Sequence, residues 1–287
     1  MKFHKLTSTD AFIVFDLDDA PAVGVVRQAP KVLRDGAELL ARSTTYAAAS
    51  FGLPVGGGSA GINAKPDDRE AAVAAFMEEV SSLVDEGRWL PGPGVGIGAN
   101  DLASLGRPDQ RRTAFAGTVA AEGAVAATLG ALGSLEGKRL AIVGSGPVAE
   151  AAAAAARANG AIAETEAGFD SPCDALLVAG KAGVLEHDLA GTVNAAVVVP
   201  LTPVPVTARA LAVLGRAGVT VVPDYLALAA PLLAALDPDG GHPATRIHDA
   251  VAALAHEGTG LWMAATVQAE THLASWRPTL PFGRPLA

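Results

Sequence analysis

The chain has 287 residues, of which 50% are hydrophobic and 18% charged, too apolar a composition for disorder and enough length for two ordinary domains. A net charge of −9 provides no basic face for phosphates, so we expect no nucleic-acid partner. The single cysteine, Cys173, excludes an internal disulfide.

The first half of the chain combines short strand-like runs, helices and two glycine-rich segments. The apolar runs 11–16 and 22–27 are separated by Asp-Asp-Ala-Pro, and this spacing predicts a β-hairpin. The high glycine content of segments 52–66 and 89–101 predicts loops. The periodicity of apolar residues predicts helices over 32–46, 67–86 and 113–134.

The second half alternates apolar strands with helices, which is typical of a parallel sheet covered on both faces. We predict strands at 139–143, 175–178, 195–199 and 219–222, and helices reaching 159 and spanning 207–217. A last long helix is predicted from Thr245 towards Trp276. The fold class is therefore α/β, with a doubly wound parallel sheet in this half.

No apolar stretch approaches the roughly 20 residues that a membrane span needs. The apolar stretch of residues 11–15 is too short for a signal peptide, and acidic residues follow it directly. We therefore expect a cytoplasmic protein with no membrane partner. The histidines show no ligand spacing with one another or with Cys173, so we also expect no metal site.

The clearest local signal lies in residues 138–161, KRLAIVGSGPVAEAAAAAARANGA. A strand is followed directly by Gly144-Ser145-Gly146-Pro147-Val148-Ala149, which fits the dinucleotide-binding pattern G-x-G-x-x-A, and then by a helix. Gly144 permits the tight turn, Gly146 lets a diphosphate approach the backbone, and Ala149 lets the helix pack on the strand. The start of the helix attracts phosphates. The alternative is a tight turn that binds nothing.

An acidic residue at the end of the next strand would bind the adenosine ribose of a dinucleotide. Glu164 and Glu166 are both candidates, and we assign Glu166. A carboxylate at this position would repel the 2′-phosphate of NADP(H). The sequence therefore favours NAD(H) as the cofactor, with NADP(H) as the alternative.

Several segments, in order, resemble the glutamate/leucine/phenylalanine/valine family of amino-acid dehydrogenases. They are PAVGVVR at 21–27, TTYAAASFGLPVGGGSAGI at 44–62, PGPGVGIGANDL at 91–102, TAFAG at 113–117, DALLVAGKAGVL at 174–185 and PDY at 223–225. The resemblance implies two domains with a cleft between them. Residues 1–112 would form a smaller α/β substrate domain, to which 258–287 return, and 113–257 a Rossmann-type NAD-binding domain.

The same resemblance implies that Thr113, Ala179, Gly180 and Thr202 line the cofactor cleft beside Ser145, Pro147 and Val148 of the glycine turn. It also implies a homo-oligomer, with a homodimer as the default. In the family, one lysine holds the substrate carboxylate, a second lysine activates water and an aspartate moves protons to and from nitrogen. The aligned residues here are Ala47, Ser59 and Gly94.

The loss of these three charges predicts altered chemistry, since general acid–base catalysis alone contributes roughly 10²–10⁴-fold to a rate. We expect no efficient deamination of amino acids. One interpretation is an NAD(P)(H)-dependent oxidoreductase that reduces a C=N, C=O or activated C=C bond of a small biosynthetic intermediate, because the nicotinamide carries the hydride chemistry. The other is a catalytically dead relative that binds a nucleotide or a protein partner.

Ser59, Tyr46 and Asp224 are the candidate catalytic residues under the first interpretation. Each has a structural alternative: Ser59 could cap a turn, Tyr46 could pack in a helix end, and Asp224 could close a turn. Arg27 and Arg42 are the basic residues near the predicted cleft. Either could hold an anionic substrate, although an exposed, salt-bridged arginine is more common.

Overall fold

The computed structural model describes residues 1–105, 109–115, 117–255 and 260–287, except for the side chains of Ser104, Gln110, Arg112 and Thr113. It contains two five-stranded sheets. The strands are β1 (Lys2–Lys5), β2 (Ala11–Phe15), β3 (Ala22–Ala29), β4 (Gly56–Asn63), β5 (Trp89–Pro93), β6 (Arg139–Val143), β7 (Ile162–Thr165), β8 (Ala175–Val178), β9 (Val197–Pro200) and β10 (Thr220–Val221).

The helices of the described ranges cover both sheets and connect them. They are α1 (Arg34–Ser50), α2 (Arg69–Asp85), α3 (Gly117–Leu132), α4 (Pro147–Ala158), α5 (His187–Ala190), α6 (Ala208–Arg216), α7 (Asp224–Ala227), α8 (Ala230–Leu236), α9 (Pro243–Leu254) and α10 (Leu261–Trp276). Short 3-10 helices lie at Pro66–Asp68, Asp101–Ser104 and Gln110–Phe115.

The first sheet has the order β1-β2-β4-β3-β5. Strand β4 is antiparallel to β2 and parallel to β3, and β3 is parallel to β5. Because β4 lies between β2 and β3, the predicted hairpin of 11–16 and 22–27 is wrong. Both runs are strands, but the turn residues between them do not bring the two strands together as a hydrogen-bonded pair.

The glycine-rich segments 52–66 and 89–101 were expected to be loops, and this expectation is also wrong, because they contain β4 and β5. Glycine serves here for close approach on both faces of β4. A Cβ at Gly57 would lie 1.8 Å from the carbonyl oxygen of Ala41 in α1, and one at Gly58 would lie 2.9 Å from Nε1 of Trp89. Glycine inside a strand commonly marks such contacts.

The second sheet is entirely parallel, with the order β10-β9-β8-β6-β7. Its strands β6, β8, β9 and β10 correspond to the four predicted apolar runs, which confirms the α/β class. Counted from β6, the order 2-1-3-4-5 places a topological switch point between β6 and β8. Ligands of such sheets bind in the crevice outside the carboxyl ends of the strands.

The carboxyl-terminal part of the chain packs on α1. The single long helix predicted from Thr245 is wrong, because α9 ends at Leu254 and α10 starts after Gly260, whose φ of 81° does not fit an α-helix. Nε2 of Gln268 in α10 donates to the carbonyl oxygen of Ser50, 3.1 Å away. The predicted domain boundary at 112/113 falls within a 3-10 helix, and the one at 257/258 lies outside the described residues.

Two features are absent from the described part of the chain. No helix there combines the length and the apolar character needed to cross a membrane. In the same ranges, no three His, Cys, Asp or Glu side chains lie together in a way that could hold a metal ion.

Candidate functional site

The turn between β6 and α4 is open to solvent and shaped by two glycines with positive φ, Gly144 at 94° and Gly146 at 99°. A Cβ at Gly144 would lie 2.5 Å from the carbonyl oxygen of Ala179, so the turn needs glycine there. A Cβ at Gly146 would meet no atom of the described residues within 4 Å. Gly146 is also the N-cap of α4, where it provides no side-chain cap. Pro147 at the first helical position has no amide N–H, so the amides of Val148 and Ala149 and the space in front of Gly146 are what suits a diphosphate here.

The crevice beside this turn is bordered by the ends of β8 and β9. Gly180 follows β8 and is exposed, whereas Ala179 is buried against the turn. Oγ1 of Thr202 accepts from the Gly180 amide at 3.0 Å and donates to the Gly180 carbonyl oxygen at 2.8 Å. Ser145 and Pro147 are exposed on the turn, and Val148 is partly exposed. The structure thus brings the predicted cofactor residues of three segments to one edge of the sheet.

Glu166 lies at the same edge, one residue beyond the end of β7, and is exposed. Its φ of 57° is unusual for a residue other than glycine. Because β7 pairs directly with β6, Glu166 and the glycine turn end neighbouring strands. The side chain of Thr113, the remaining predicted cofactor residue, lies outside the described residues.

The face of the first sheet that carries α1 is only partly covered by that helix. In the strand register, Val25 of β3 lies beside Ser59 of β4 on one side and Gly92 of β5 on the other, so the three positions share this face. Helix α1 covers β4, and the Phe115 ring covers β5, where a Cβ at Gly92 would lie 2.7 Å from the ring. Val25 and Arg27 lie between these covers and are partly exposed. We call these two residues and Gly94 the β3 strip.

A short connection links the β3 strip to the glycine turn. Phe115 contacts the Gly92 position, and Gly117, two residues later, begins α3. A Cβ at Gly117 would lie 3.0 Å from Cγ2 of Val148 in the turn. The start of α3 therefore lies between the β3 strip on one side and the glycine turn on the other.

The two arginines considered near the cleft have different environments. Arg42 is buried and forms an ion pair with Asp16 at 2.7 Å, and it also donates to the carbonyl oxygens of Phe282 and Gly283. Arg27 forms no ion pair within the described residues, and its Nε and Nη2 atoms are buried without a hydrogen-bond partner. Burial lowers the pKa of Arg27, although a guanidinium remains charged at neutral pH.

Ser59 is fully buried on β4, and its hydroxyl has no hydrogen-bond partner among the residues that the structure describes. Because it lies inside a strand, it caps neither a helix nor a turn. Two residues earlier on the same strand, the Gly57 amide donates to Oγ1 of Thr45 at 2.9 Å. An unsatisfied buried hydroxyl is uncommon and costs stability, so its presence requires an explanation.

Tyr46 is buried where α1 meets α7 and α10. Its hydroxyl donates to Oε1 of Glu270 at 3.1 Å, and its ring lies 5.6 Å from that of Tyr225. Burial, followed by the nearby Glu270 carboxylate, raises the pKa of Tyr46 to about 12. Arg284 pairs with Glu270 at 2.9 Å and holds the pKa of that carboxyl below its usual value. This arrangement favours a packing role, because an effective general acid has a pKa near the working pH.

Asp224 is buried at the start of α7 and joins the two sheet-bearing parts of the chain. Its Oδ2 accepts from the hydroxyl of Ser43 in α1 at 2.6 Å and from the amide of Val204 at 3.0 Å. Burial raises the pKa of Asp224, and the hydrogen bonds oppose this shift. Tyr46 and Asp224 therefore lie close to one helix contact, whereas Ser59 lies within the first sheet. The catalytic roles of all three remain predictions.

Comparison with known proteins shows which family this chain resembles. Residues 4–107 match the family described as Glu/Leu/Phe/Val dehydrogenase, dimerisation domain. The NADP-specific glutamate dehydrogenase A1 of Halobacterium salinarum is 28% identical over 74% of this chain and 67% of its own length. The chain is similar to the Glu/Leu/Phe/Val dehydrogenases. The resemblance predicted from the sequence is thereby confirmed.

Solved structures of the family show the same fold. The hetero-hexameric glutamate dehydrogenase of Thermus thermophilus matches with a TM-score of 0.77 and 24% identity, over 94% of this chain and 86% of that one. The L-tryptophan dehydrogenase of Nostoc punctiforme matches with a TM-score of 0.70 and 20% identity, over 97% of both chains. The two-domain α/β arrangement expected from the family is consistent with these matches.

The three positions at which this chain is predicted to lack a charge of the family that it resembles have defined surroundings. Ala47 is buried on α1, Ser59 on β4, and Gly94 follows β5. A Cβ at Gly94 would lie 2.6 Å from the carbonyl oxygen of Val26, so an aspartate does not fit there without movement of the backbone. The consequence of these changes for catalysis remains a prediction.

Sequence reasoning missed two partners that define the cleft and its borders. Ser43, which binds Asp224, carries no motif, and Asp16, which pairs with Arg42, lies in an ordinary strand end. The signal that distinguishes Arg27 from Arg42 is the absence of a partner, and this is visible only in three dimensions.

Proposed function

We propose that this chain is an NAD(P)(H)-dependent oxidoreductase with altered chemistry, which reduces a C=N, C=O or activated C=C bond of a small biosynthetic intermediate. The observation that carries the proposal is the glycine turn at the switch point of the parallel sheet, with open space in front of Gly146. Amino-acid dehydrogenases among the relatives support an oxidoreductase. The name of the halobacterial relative gives no support for NAD(H) over NADP(H), and Glu166 is our reason for favouring NAD(H).

The start of α4, Glu166, Thr202 and Gly180 have defined roles in this proposal. The amides of Val148 and Ala149 would hold the diphosphate, and the carboxylate of Glu166 would accept from the ribose hydroxyls. Thr202 and Gly180 would border the nicotinamide half of the crevice. When bound, the nicotinamide supplies the hydride.

The residues of the first sheet explain why reduction is the favoured reaction. Addition or removal of ammonia requires a lysine of low pKa and a carboxylate, but the corresponding positions are Ser59 and Gly94. Reduction of a preformed double bond requires only a bound substrate and a proton source. Ser59 stays the predicted donor of a hydrogen bond on this strand; its hydroxyl is fully buried and has no hydrogen-bond partner among the described residues.

The test is a titration with NADH and NADPH, followed by cofactor fluorescence, on matched variants. Gly146 and Gly218 both have positive φ and empty space where the methyl group of an alanine would lie, but only Gly146 lies at the turn. We expect Gly146→Ala to weaken NADH binding at least tenfold and Gly218→Ala to leave it unchanged. Equal effects of the two substitutions, or no binding at millimolar cofactor, would remove the basis of the proposal.

The preference for NAD(H) has its own test within the same titration. Glu166→Gln removes the negative charge that would repel a 2′-phosphate, so NADPH should bind the variant several-fold more tightly than the unchanged protein. A protein that already binds NADPH far better than NADH would show that the assignment of Glu166 is wrong.

The second candidate function is a catalytically dead relative that binds nucleotide or a protein partner. Its support is that the hydroxyl of Tyr46 and the carboxylate of Asp224 are both engaged within the protein. Tight NADH binding without hydride transfer to any imine, ketone or activated alkene would favour this candidate. For either function we propose a homo-oligomer built through residues 4–107, because the matching family is described as a dimerisation domain.

A further inference from the structure

The turn that follows β9 contains a strained residue close to the crevice beside the glycine turn. Val204 has a φ of 52°, a rare conformation for a residue whose side chain branches at Cβ. Such conformations persist only where the surrounding structure holds them, and they are concentrated at functional sites. Two residues earlier, Thr202 binds the backbone of Gly180 at the edge of the crevice. We call residues 201–206 the β9 turn.

Buried hydrogen bonds hold the backbone of Val204 on both sides. Its amide donates to Oδ2 of Asp224 at 3.0 Å, and its carbonyl oxygen accepts from the amide of Gly183 at 2.9 Å. Val204 and Asp224 are both buried, with exposed fractions of 2% and 5%. Asp224 therefore helps to hold a backbone conformation that a valine would otherwise avoid.

Asp224 extends this connection to the helix that covers the first sheet. Its Oδ2 also accepts from the hydroxyl of Ser43, a buried residue of α1, at 2.6 Å. The same carboxylate oxygen thus joins α1 to the β9 turn. From the turn, Thr202 continues the connection to Gly180 through two hydrogen bonds, at 3.0 and 2.8 Å.

The surroundings of Asp224 in the described part of the chain leave no room for a substrate. The gap bordered by Asp224, Val204, Trp262 and Leu286 has a volume of about 10 Å³, enough for one water molecule at most. A carboxylate that does not meet a substrate cannot exchange a proton with it directly. Any effect of Asp224 on a reaction in the crevice must therefore pass through the β9 turn.

We propose that Asp224 is a positioning residue for the cofactor, which holds the β9 turn so that Thr202 and Gly180 border the nicotinamide half of a bound dinucleotide. Ser43 keeps the carboxylate in place from α1. The proposal rests on the oxidoreductase function given above, because it names a residue that orders the cofactor crevice. The adenosine diphosphate half lies at the glycine turn and does not depend on Asp224.

The experiment compares NADH with ADP-ribose, which has the same diphosphate and the same charge but lacks the nicotinamide. Both are titrated into the full chain and followed by calorimetry. We expect the unchanged protein to bind NADH at least about tenfold more tightly than ADP-ribose. Asp224→Ala should remove most of this difference by weakening NADH alone. Ser43→Ala leaves the contact with Val204 and should remove only part of it.

Two further variants control for loss of stability and for folding. Thr45→Val is matched to Ser43→Ala, because it also removes a buried hydroxyl from α1, but one that binds the Gly57 amide of β4. It should leave the ratio of the two affinities unchanged. Asp224→Asn keeps an oxygen that can accept from Ser43 and Val204, so it should restore most of the difference, and it replaces the alanine variant if that variant does not fold.

Hydrogen exchange at the Val204 amide follows the β9 turn without any ligand. Its two neighbours, Pro203 and Pro205, have no amide hydrogen, so its signal is readily separated. Exchange should be slow in the unchanged protein and in Thr45→Val. In Asp224→Ala it should be at least about tenfold faster, because the amide loses its acceptor.

Four results would overturn the positioning role. They are equal affinities of the unchanged protein for NADH and ADP-ribose, a difference that survives in Asp224→Ala, a loss of the difference in Thr45→Val as complete as in Asp224→Ala, and unaltered exchange at Val204 in Asp224→Ala. Any of these results with NADH still bound refutes the role of Asp224 alone. Failure of the unchanged protein to bind either compound would refute the oxidoreductase function as well.

Discussion

Removal of two buried hydroxyls on neighbouring elements should change the free energy of unfolding in opposite directions. The Ser59 hydroxyl has no partner, whereas Oγ1 of Thr45 accepts from the Gly57 amide at 2.9 Å and donates to the Ala41 carbonyl oxygen at 3.2 Å. An unsatisfied buried polar group costs about 1–3 kcal/mol. We therefore expect Ser59→Ala to raise the free energy of unfolding by about 1–3 kcal/mol. Thr45→Val, which leaves the Gly57 amide unpaired, should lower it by a similar amount.

The assay is equilibrium unfolding in urea, with the slope m unchanged between variants. With an m value of about 3 kcal/mol per molar, these changes would move the midpoint by about 0.3–1 M in opposite directions. A loss of stability in Ser59→Ala would refute the reasoning, because it would mean that the hydroxyl has a partner in the folded protein. A gain in stability together with weaker ligand binding would indicate that the hydroxyl is kept for a ligand.

Three other substitutions test the surroundings of the cleft. Asp16→Asn leaves the buried Arg42 charge unpaired and should lower the free energy of unfolding by about 3–5 kcal/mol, measured in urea. Burial raises the pKa of Asp224 in the folded protein, so the free energy of unfolding of the unchanged protein falls as the pH rises through that pKa. Asp224→Asn lacks this titration. Its urea midpoint should therefore rise relative to that of the unchanged protein between pH 4 and pH 7. Gly94→Asp should destabilise the chain by about 1–3 kcal/mol in the same assay, because its Cβ meets the Val26 carbonyl oxygen.

The second half of the chain was predictable because its local signals agree with one another. Strand β6 was predicted with its observed bounds, and the glycine turn and α4 follow it directly. Continuous apolar strands separated by helices leave few alternatives to a parallel sheet. The glycine at the start of the turn also has a physical reason, because a side chain at Gly144 would collide with the backbone of Ala179.

The first sheet was harder to predict because its central strand lacks the usual side chains. Strand β4 reads GGGSAGIN, which has low strand propensity, and it is stabilised by its neighbours β2 and β3 and by the contacts of α1 and Trp89. Tertiary packing overrides the local preference in this case. The incorrect hairpin has the same origin. When β4 is not recognised as a strand, β2 and β3 are left as neighbouring strands that could pair with each other.

The charges of the cleft follow from partners that are distant in sequence. Asp16 neutralises Arg42 across 26 positions, whereas Arg27 has no acid within the described residues, and no local pattern distinguishes these two arginines. The same chain therefore keeps one buried arginine for the fold and leaves another uncompensated on the β3 strip. Because an uncompensated guanidinium lowers stability, only the surroundings of each side chain in the folded chain decide whether that arginine stabilises the fold.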